Sequence, residues 1–158
     1  MSGFYFEGLD DVHEPEPVED GFYDVEIVGA KAVRAEDGGV SRLSIQVAVL
    51  NPPEDNPNPP FIFHTLFPPR EGAEEWQISN SRLQFKRFFH LFQIDAPDHD
   101  LDDDELEEWL AGFRGKSAKC RVKKVFNERM ERHENSLNVP PLPKRGSGPA
   151  PAGGLRTV

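Results

Sequence analysis

The chain changes its hydrophobic period twice. From Gly21, the apolar residues Tyr23, Val25 and Ile27 alternate with Asp24 and Glu26, the period-two pattern of a half-buried strand. Gly29 breaks that phase before Ala30, Ala32 and Val33, and a glycine inside a strand pattern marks a bulge or a sharp bend. Glu36-Asp37-Gly38-Gly39 reads as a turn with glycines available for positive φ. Leu43, Ile45, Val47 and Val49 then define a second strand, with Arg42, Ser44, Gln46 and Ala48 on its other face, so the two strands form a hairpin. Asn51 to Pro60 holds five prolines in ten residues and reads as a loop. Phe61 to Phe67 is a third strand, but its phase is ambiguous. Phe61, Phe63 and Phe67 are read as core in preference to stacking platforms, with Ile62 or Phe63 open as a surface candidate.

The period then lengthens. Leu83, Phe85, Phe88, Phe89 and Phe92 recur at helical spacing with Arg82, Lys86 and His90 on the opposite stripe, and Ser79-Asn80-Ser81 offers N-cap residues. Trp76 is placed in the loop before this helix, where it can be exposed. A second, short helix opens on Asp102, Asp103 and Asp104, carries Leu106, Trp109, Leu110 and Phe113 as its apolar stripe, and leaves through Gly112 and Gly115.

Period two returns after Gly115. Lys119, Arg121 and Lys123 alternate with Ala118, Cys120 and Val122, so a strand from Lys116 to about Phe126 has one cationic face. A charged loop, Asn127 to Glu134, leads to a last strand near Ser136 to Val139, which Pro140-Pro141-Leu142-Pro143 ends. The order β-β-β-α-α-β-β predicts a mainly β domain over residues 21–143. Its expected form is a five-stranded OB-fold barrel (a Greek key) with two helices inserted between strands three and four. An α+β sandwich with both helices on one sheet face is the competing architecture. Residues 1–20 are expected to be an acidic mobile arm, and residues 144–158 a flexible tail rich in Gly, Pro and Ala. The Phe4-Tyr5-Phe6 cluster in the arm is read as docking on its own domain.

Charge sharpens this picture because it is segregated. The formal net charge is −10 over 158 residues, which argues against non-specific binding to duplex DNA. Yet residues 1–20 hold seven acids and no Lys or Arg, and residues 95–108 hold nine acids and none. Residues 114–145 hold ten Lys and Arg against three Glu. The cationic row therefore needs an anionic partner, either an acidic segment of the chain itself or a nucleic acid. The single cysteine, Cys120, falls on the apolar phase of its strand and reads as a small buried hydrophobe. With no apolar run near 18 residues and no basic n-region leading into an apolar stretch, no membrane association is expected, and the protein is expected to be soluble and intracellular.

The domain resembles the phage-type single-stranded DNA-binding proteins with an OB-fold. The resemblance rests on an acidic leader into Gly21-Phe22-Tyr23-Asp24-Val25-Glu26-Ile27 and a Gly-containing turn before Leu43-Ser44-Ile45. It continues through Phe89-His90-Leu91-Phe92-Gln93-Ile94, Gly115-Lys116 opening the basic strand, and Asn138-Val139-Pro140 closing the domain. It spans about Asp20 to Pro143, each motif being a fold-level pattern and the combination in this order more specific. The resemblance implies a bacteriophage protein that binds single-stranded DNA in DNA replication, recombination or repair, in the cytoplasm of a bacterial host. One departure is that the acidic segment lies at the N-terminus, whereas many single-strand binders carry theirs at the C-terminus.

Catalytic motifs are missing. There is no phosphate-binding Gly-x-x-x-x-Gly-Lys-Ser/Thr loop, no His-Glu-x-x-His and no Gly-x-Ser-x-Gly, so no enzymatic activity and no cofactor or metal is expected. The five histidines make no i, i+4 pair, and the cluster from Asp98 to Asp104 lacks the central glycine of a calcium loop. Sequence-independent single-strand binding needs cations that follow phosphates and exposed rings that stack on bases. The candidates are Lys119, Arg121 and Lys123 on the basic strand, Arg42 and His64 on strands two and three, Phe126 at the basic strand's end, and Arg129 and Arg132 in the loop after it. The acidic arm is expected either to lie over these cations in place of DNA or to recruit replication or recombination proteins. Oligomeric state is left open. The alternative function is a protein-interaction module, a virion or replisome accessory factor that does not touch nucleic acid.

Overall fold

The computed structural model describes residues 7–12 and 14–143; the Phe4-Tyr5-Phe6 cluster and the tail from 144 onwards lie outside the described residues. Seven elements build the domain: β1 (Gly21–Arg34), β2 (Val40–Val49), β3 (Ile62–Leu66), α1 (Glu75–Phe92), α2 (Asp103–Ala111), β4 (Ser117–Asn127) and β5 (Arg132–Asn138). The fold is mainly β: one antiparallel five-stranded sheet in the order β3-β2-β1-β4-β5, with two helices between β3 and β4. The edge strands β3 and β5 approach each other, but among the described residues no hydrogen-bond ladder joins them, so the sheet is open.

The long β1 carries the sheet's bend. Its register against β2 runs to Ile27↔Val47 and resumes at Gly29↔Gln46, which leaves Val28 as the extra residue of a bulge. The bulge lets β1 pair with β4 over Gly21–Glu26 and with β2 over Val25–Arg34. Each strand then sends alternate residues to the core: Val25 and Ile27, Leu43, Ile45 and Val47, Ile62 and Leu66, Cys120 and Val122, and Leu137 are all buried. Against them sit Phe88 and Phe92 of α1, Leu110 of α2 and Phe113 beyond it. Phe88 is the hub, with ring centroids at 4.9 Å from Phe92 and 6.3 Å from Phe113. Trp109 packs edge-on to Phe113 at 4.8 Å while its indole N–H donates to the Asp95 carbonyl at 3.1 Å, which satisfies the polar atom of this mostly apolar ring.

Three expectations are corrected. Helix α1 begins at Glu75, with Glu74 at the N-cap, well before Ser79-Asn80-Ser81. The Glu74 backbone N–H donates to Gln77 Oε1 at 2.9 Å, so a capping-box contact starts the helix where no Ser, Thr, Asp or Asn stands. Trp76 consequently lies in the first turn of α1, exposed as expected but on a helix and not in a loop.

Strand β3 has the opposite phase to the one expected of its phenylalanines. Ile62 and Leu66 point into the core, and Phe61, Phe63 and Phe67 are exposed. The register fixes this: Ile62 pairs with Val47 and Leu66 with Leu43, both of them core residues of β2, so the residues between must face outwards.

The ordered domain also begins before Gly21. Val18 is 1% exposed and belongs to the core. Its N–H donates to Asn135 Oδ1 at 2.8 Å and its carbonyl accepts from Asn135 Nδ2 at 2.9 Å, the two bonds a neighbouring strand would make. Asp20 Oδ1 accepts the Lys124 backbone N–H at 2.7 Å, and Glu19 pairs with Lys124 Nζ at 2.9 Å. Upstream, the Glu16 carbonyl accepts from Asn56 Nδ2 at 2.7 Å. Residues 16–20 are thus a strap across β4 and β5. An acidic, proline-containing segment needs no regular structure to be held when one buried valine and borrowed hydrogen bonds secure it.

Candidate nucleic-acid interface

The outward face of the sheet gathers most of the candidate cations. Pairing of β1 with β4 sets Arg121 opposite Phe22 and Lys119 opposite Asp24, and pairing of β4 with β5 sets Lys123 opposite Ser136. Lys119, Arg121 and Lys123 are all exposed, and at about 3.3 Å per residue they cover some 13 Å of strand. Among the described residues, no carboxylate comes within 4.0 Å of any of the three. Among the described residues, the acidic groups that were one candidate partner for this row engage other cations. Helix α2 packs on β1, where Asp103 pairs with Arg34 at 2.8 Å, and the strap's Glu19 and Asp20 engage Lys124, which lies on the other phase of β4.

Arg42 is exposed on the same sheet face, two strands away from the cationic row. It stands one residue before Leu43, which pairs with Leu66 at the end of β3, so Phe67, the next residue, lies on its side of the sheet. Along this side, Lys31 pairs with Ser44 and Ser44 with Thr65, and Gln46 pairs with Phe63 on one side and Gly29 on the other. Asp24 and Glu26 also face outwards and separate the two cationic groups. Arg132 shares the phase of the row through its pair with Asn127, although its Nε lies 3.2 Å from Glu134 Oε1. Arg129 is exposed in the hairpin turn, where Glu131 takes a left-handed φ of 51° and Asn127 Oδ1 accepts the Met130 N–H at 3.1 Å.

Two sequence candidates lie apart from this face. His64 has the inward phase of β3, half-buried, its ring stacked on Phe88 at 5.4 Å and 8°. Desolvation there lowers its pKa, which favours the neutral imidazole. Phe126 has the phase of Cys120 and Val122 but lies beyond the core, exposed and edge-on to His133 at 5.1 Å, where the strap crosses the hairpin.

Sequence reasoning missed Phe22 and left Phe63 open between core and surface, and both are strongly exposed. Phe22 is 69% exposed beside Arg121, and Phe63 is 65% exposed beside Gln46. For Phe22 the signal was present, since it falls on the polar phase of Asp24 and Glu26. The outward face therefore combines a cationic row on β4 with exposed rings, Phe22 on β1, Phe63 on β3, and Phe61 and Phe67 at its two ends. Among the described residues, no cluster of His, Cys, Asp and Glu is arranged to hold a metal ion, and no helix is long and apolar enough to cross a membrane. Comparison with protein-family models and with curated proteins finds no match to this chain.

Proposed function

We propose that the protein binds single-stranded DNA without sequence preference and without catalysis, on the outward face of an OB-type barrel whose β3 and β5 edges form the seam. The observation that carries this reading is the cross-strand neighbourhood of Phe22 and Arg121, an exposed ring beside a cation that has no carboxylate partner among the described residues, in a row of three. Phosphates follow Lys119, Arg121 and Lys123 while bases stack on Phe22, and Arg42 with Phe63 and Phe67 repeats the pairing of charge and ring across the sheet. The resemblance to phage-type single-strand binders supports the same reading and suggests replication, recombination or repair as its setting. Arg129 and Arg132 extend the cationic surface to the hairpin tip. In this reading the strap leaves Lys119, Arg121 and Lys123 uncovered, and the exposed carboxylates of the acidic arm serve partner proteins.

Fluorescence polarisation of labelled oligo-dT across a salt series tests the proposal. Binding should weaken with a log–log slope of about −0.7 per neutralised phosphate. No binding at low salt by the full chain would overturn it, and the exposed phenylalanines of β3 would then mark a protein-contact surface.

A further inference from the structure

A cleft of about 560 Å³ opens where β3 runs out into the segment before α1. Phe67 and Trp76 line it, and Trp76 is 65% exposed. The Ser81 hydroxyl donates to the Phe67 carbonyl, which ties the end of β3 to the helix and fixes the cleft's shape. The Trp76 indole N–H donates to Glu74 Oε2 at 2.6 Å, a bond made at the ring's edge, which leaves the faces of this exposed ring available for contact. Asn80 and Gln84, one helical turn apart, present two amides to the same space. Among the described residues, neither amide side chain has a hydrogen-bond partner. Arg70 and Glu71 both line the cleft, and their opposite charges cancel.

We infer that this cleft takes an unstacked nucleobase of the bound single strand. The inference rests on the function proposed above and adds a base-contacting subsite to it. A phosphate-binding pocket would carry an excess of cations, which this one lacks. Exposed rings with free amides match the two needs of a splayed base: a face to stack on and an edge to exchange hydrogen bonds with. An amide offers donor and acceptor together, the pattern that Asn and Gln use against adenine. The subsite is continuous with the sheet, because Phe67 belongs both to the cleft and to the outward aromatic face of β3. A strand lying over β2 and β3 can therefore turn one base into it. The outcome is a preference at one position of an otherwise indifferent site.

Abasic scanning tests this. A series of oligonucleotides, each with one abasic site at a successive position in a dT or dA background, is titrated against the native chain, Trp76→Ala and the double variant Asn80→Ala/Gln84→Ala. All three positions are exposed, so the variants should fold, and circular dichroism checks that they do. In the native chain one position should lose at least about five-fold in affinity when its base is removed. Trp76→Ala should abolish that positional loss, and the double variant should reduce the difference between dA and dT backgrounds to under about two-fold. Oligonucleotide binding with the same positional profile in native chain and Trp76→Ala would overturn the inference and leave the proposed function standing. Absence of any binding by the native chain would overturn both.

Discussion

Arg121 and Phe22 face each other across the β1–β4 ladder on the outward side of the sheet. Neither belongs to the core, yet each strand's inward neighbours, Tyr23 and Cys120, hold its position in register. The pair lets two contributions to the proposed binding be tested apart. Phe22→Ala removes a stacking face and no charge, so affinity for oligo-dT should fall about five- to 150-fold with an unchanged salt slope.

Neutralising the row does the converse. Changing Lys119, Arg121 and Lys123 together to Ala should make the salt slope shallower by about 2, three phosphates at about 0.7 each. The fold should be kept, because all three side chains are exposed and unpaired among the described residues. A variant with the native slope would show that the row does not contact phosphates.

The strap should be worth more than its appearance in the sequence. Val18→Ala deletes two buried methyl groups and should cost about 2 kcal/mol in urea unfolding. Asn135→Ala leaves the N–H and carbonyl of Val18 without their partner and should cost about 1–3 kcal/mol. The exposed Glu19–Lys124 pair should contribute under about 1 kcal/mol, so Glu19→Gln should scarcely move the midpoint. A chain beginning at Gly21 loses Val18 altogether, and should be less stable than either point variant.

His64 gives stability a pH dependence of known sign. Burial against Phe88 lowers its pKa below the ordinary 6.5, so below that pH the unfolded chain takes up the proton more readily than the folded one. This contribution is neutral above 6.5 and destabilises increasingly as pH falls towards the folded value. His64→Phe should therefore reduce the drop in Tm between pH 7.5 and pH 5.5. His99 has the opposite sign. Hydrogen bonds to Asp98 and then Glu105 raise its pKa, so its stabilising effect is present below 6.5 and disappears as pH rises. A parallel His99→Ala series distinguishes the two.

Cys120 is buried, and desolvation pushes its thiol up to about 11. At pH 8 it should resist a disulfide reagent in the native chain and react fully in guanidinium. Rapid native reaction would show that β4 opens readily.

The sequence's legibility follows the contrast between its two faces. In β1, β2 and β4, apolar and polar residues alternate cleanly, and the strands, the bulge beside Gly29 and the cationic row are where that alternation puts them. In β3 both faces are largely apolar, so period alone gives no direction; the partners Leu43 and Val47 decide it, and these are tertiary information. The start of α1 escaped because a Glu–Gln exchange does the work normally assigned to Ser or Asp. Val18 escaped because one valine between proline and two acids carries no periodic signal, and its burial depends on an asparagine 117 residues away. The cleft at Trp76 combines residues of β3, a loop and a helix, and only their assembly brings the amides and rings together.

That 117-residue separation also constrains the order of assembly. Val18 cannot be secured until Asn135 has been synthesised and β5 has paired with β4, whereas the β1–β2 hairpin can close on its own. Docking of the strap is then a late event, and the amide of Val18 should be among the last to gain protection in pulse-labelled hydrogen exchange during refolding. Early protection there, alongside the β1–β2 hairpin, would reverse the sequence of events. Until then the hydrophobic slot beside Asn135 stands open on the nascent domain, a temporary opening that the chain's own earlier residues must return to fill.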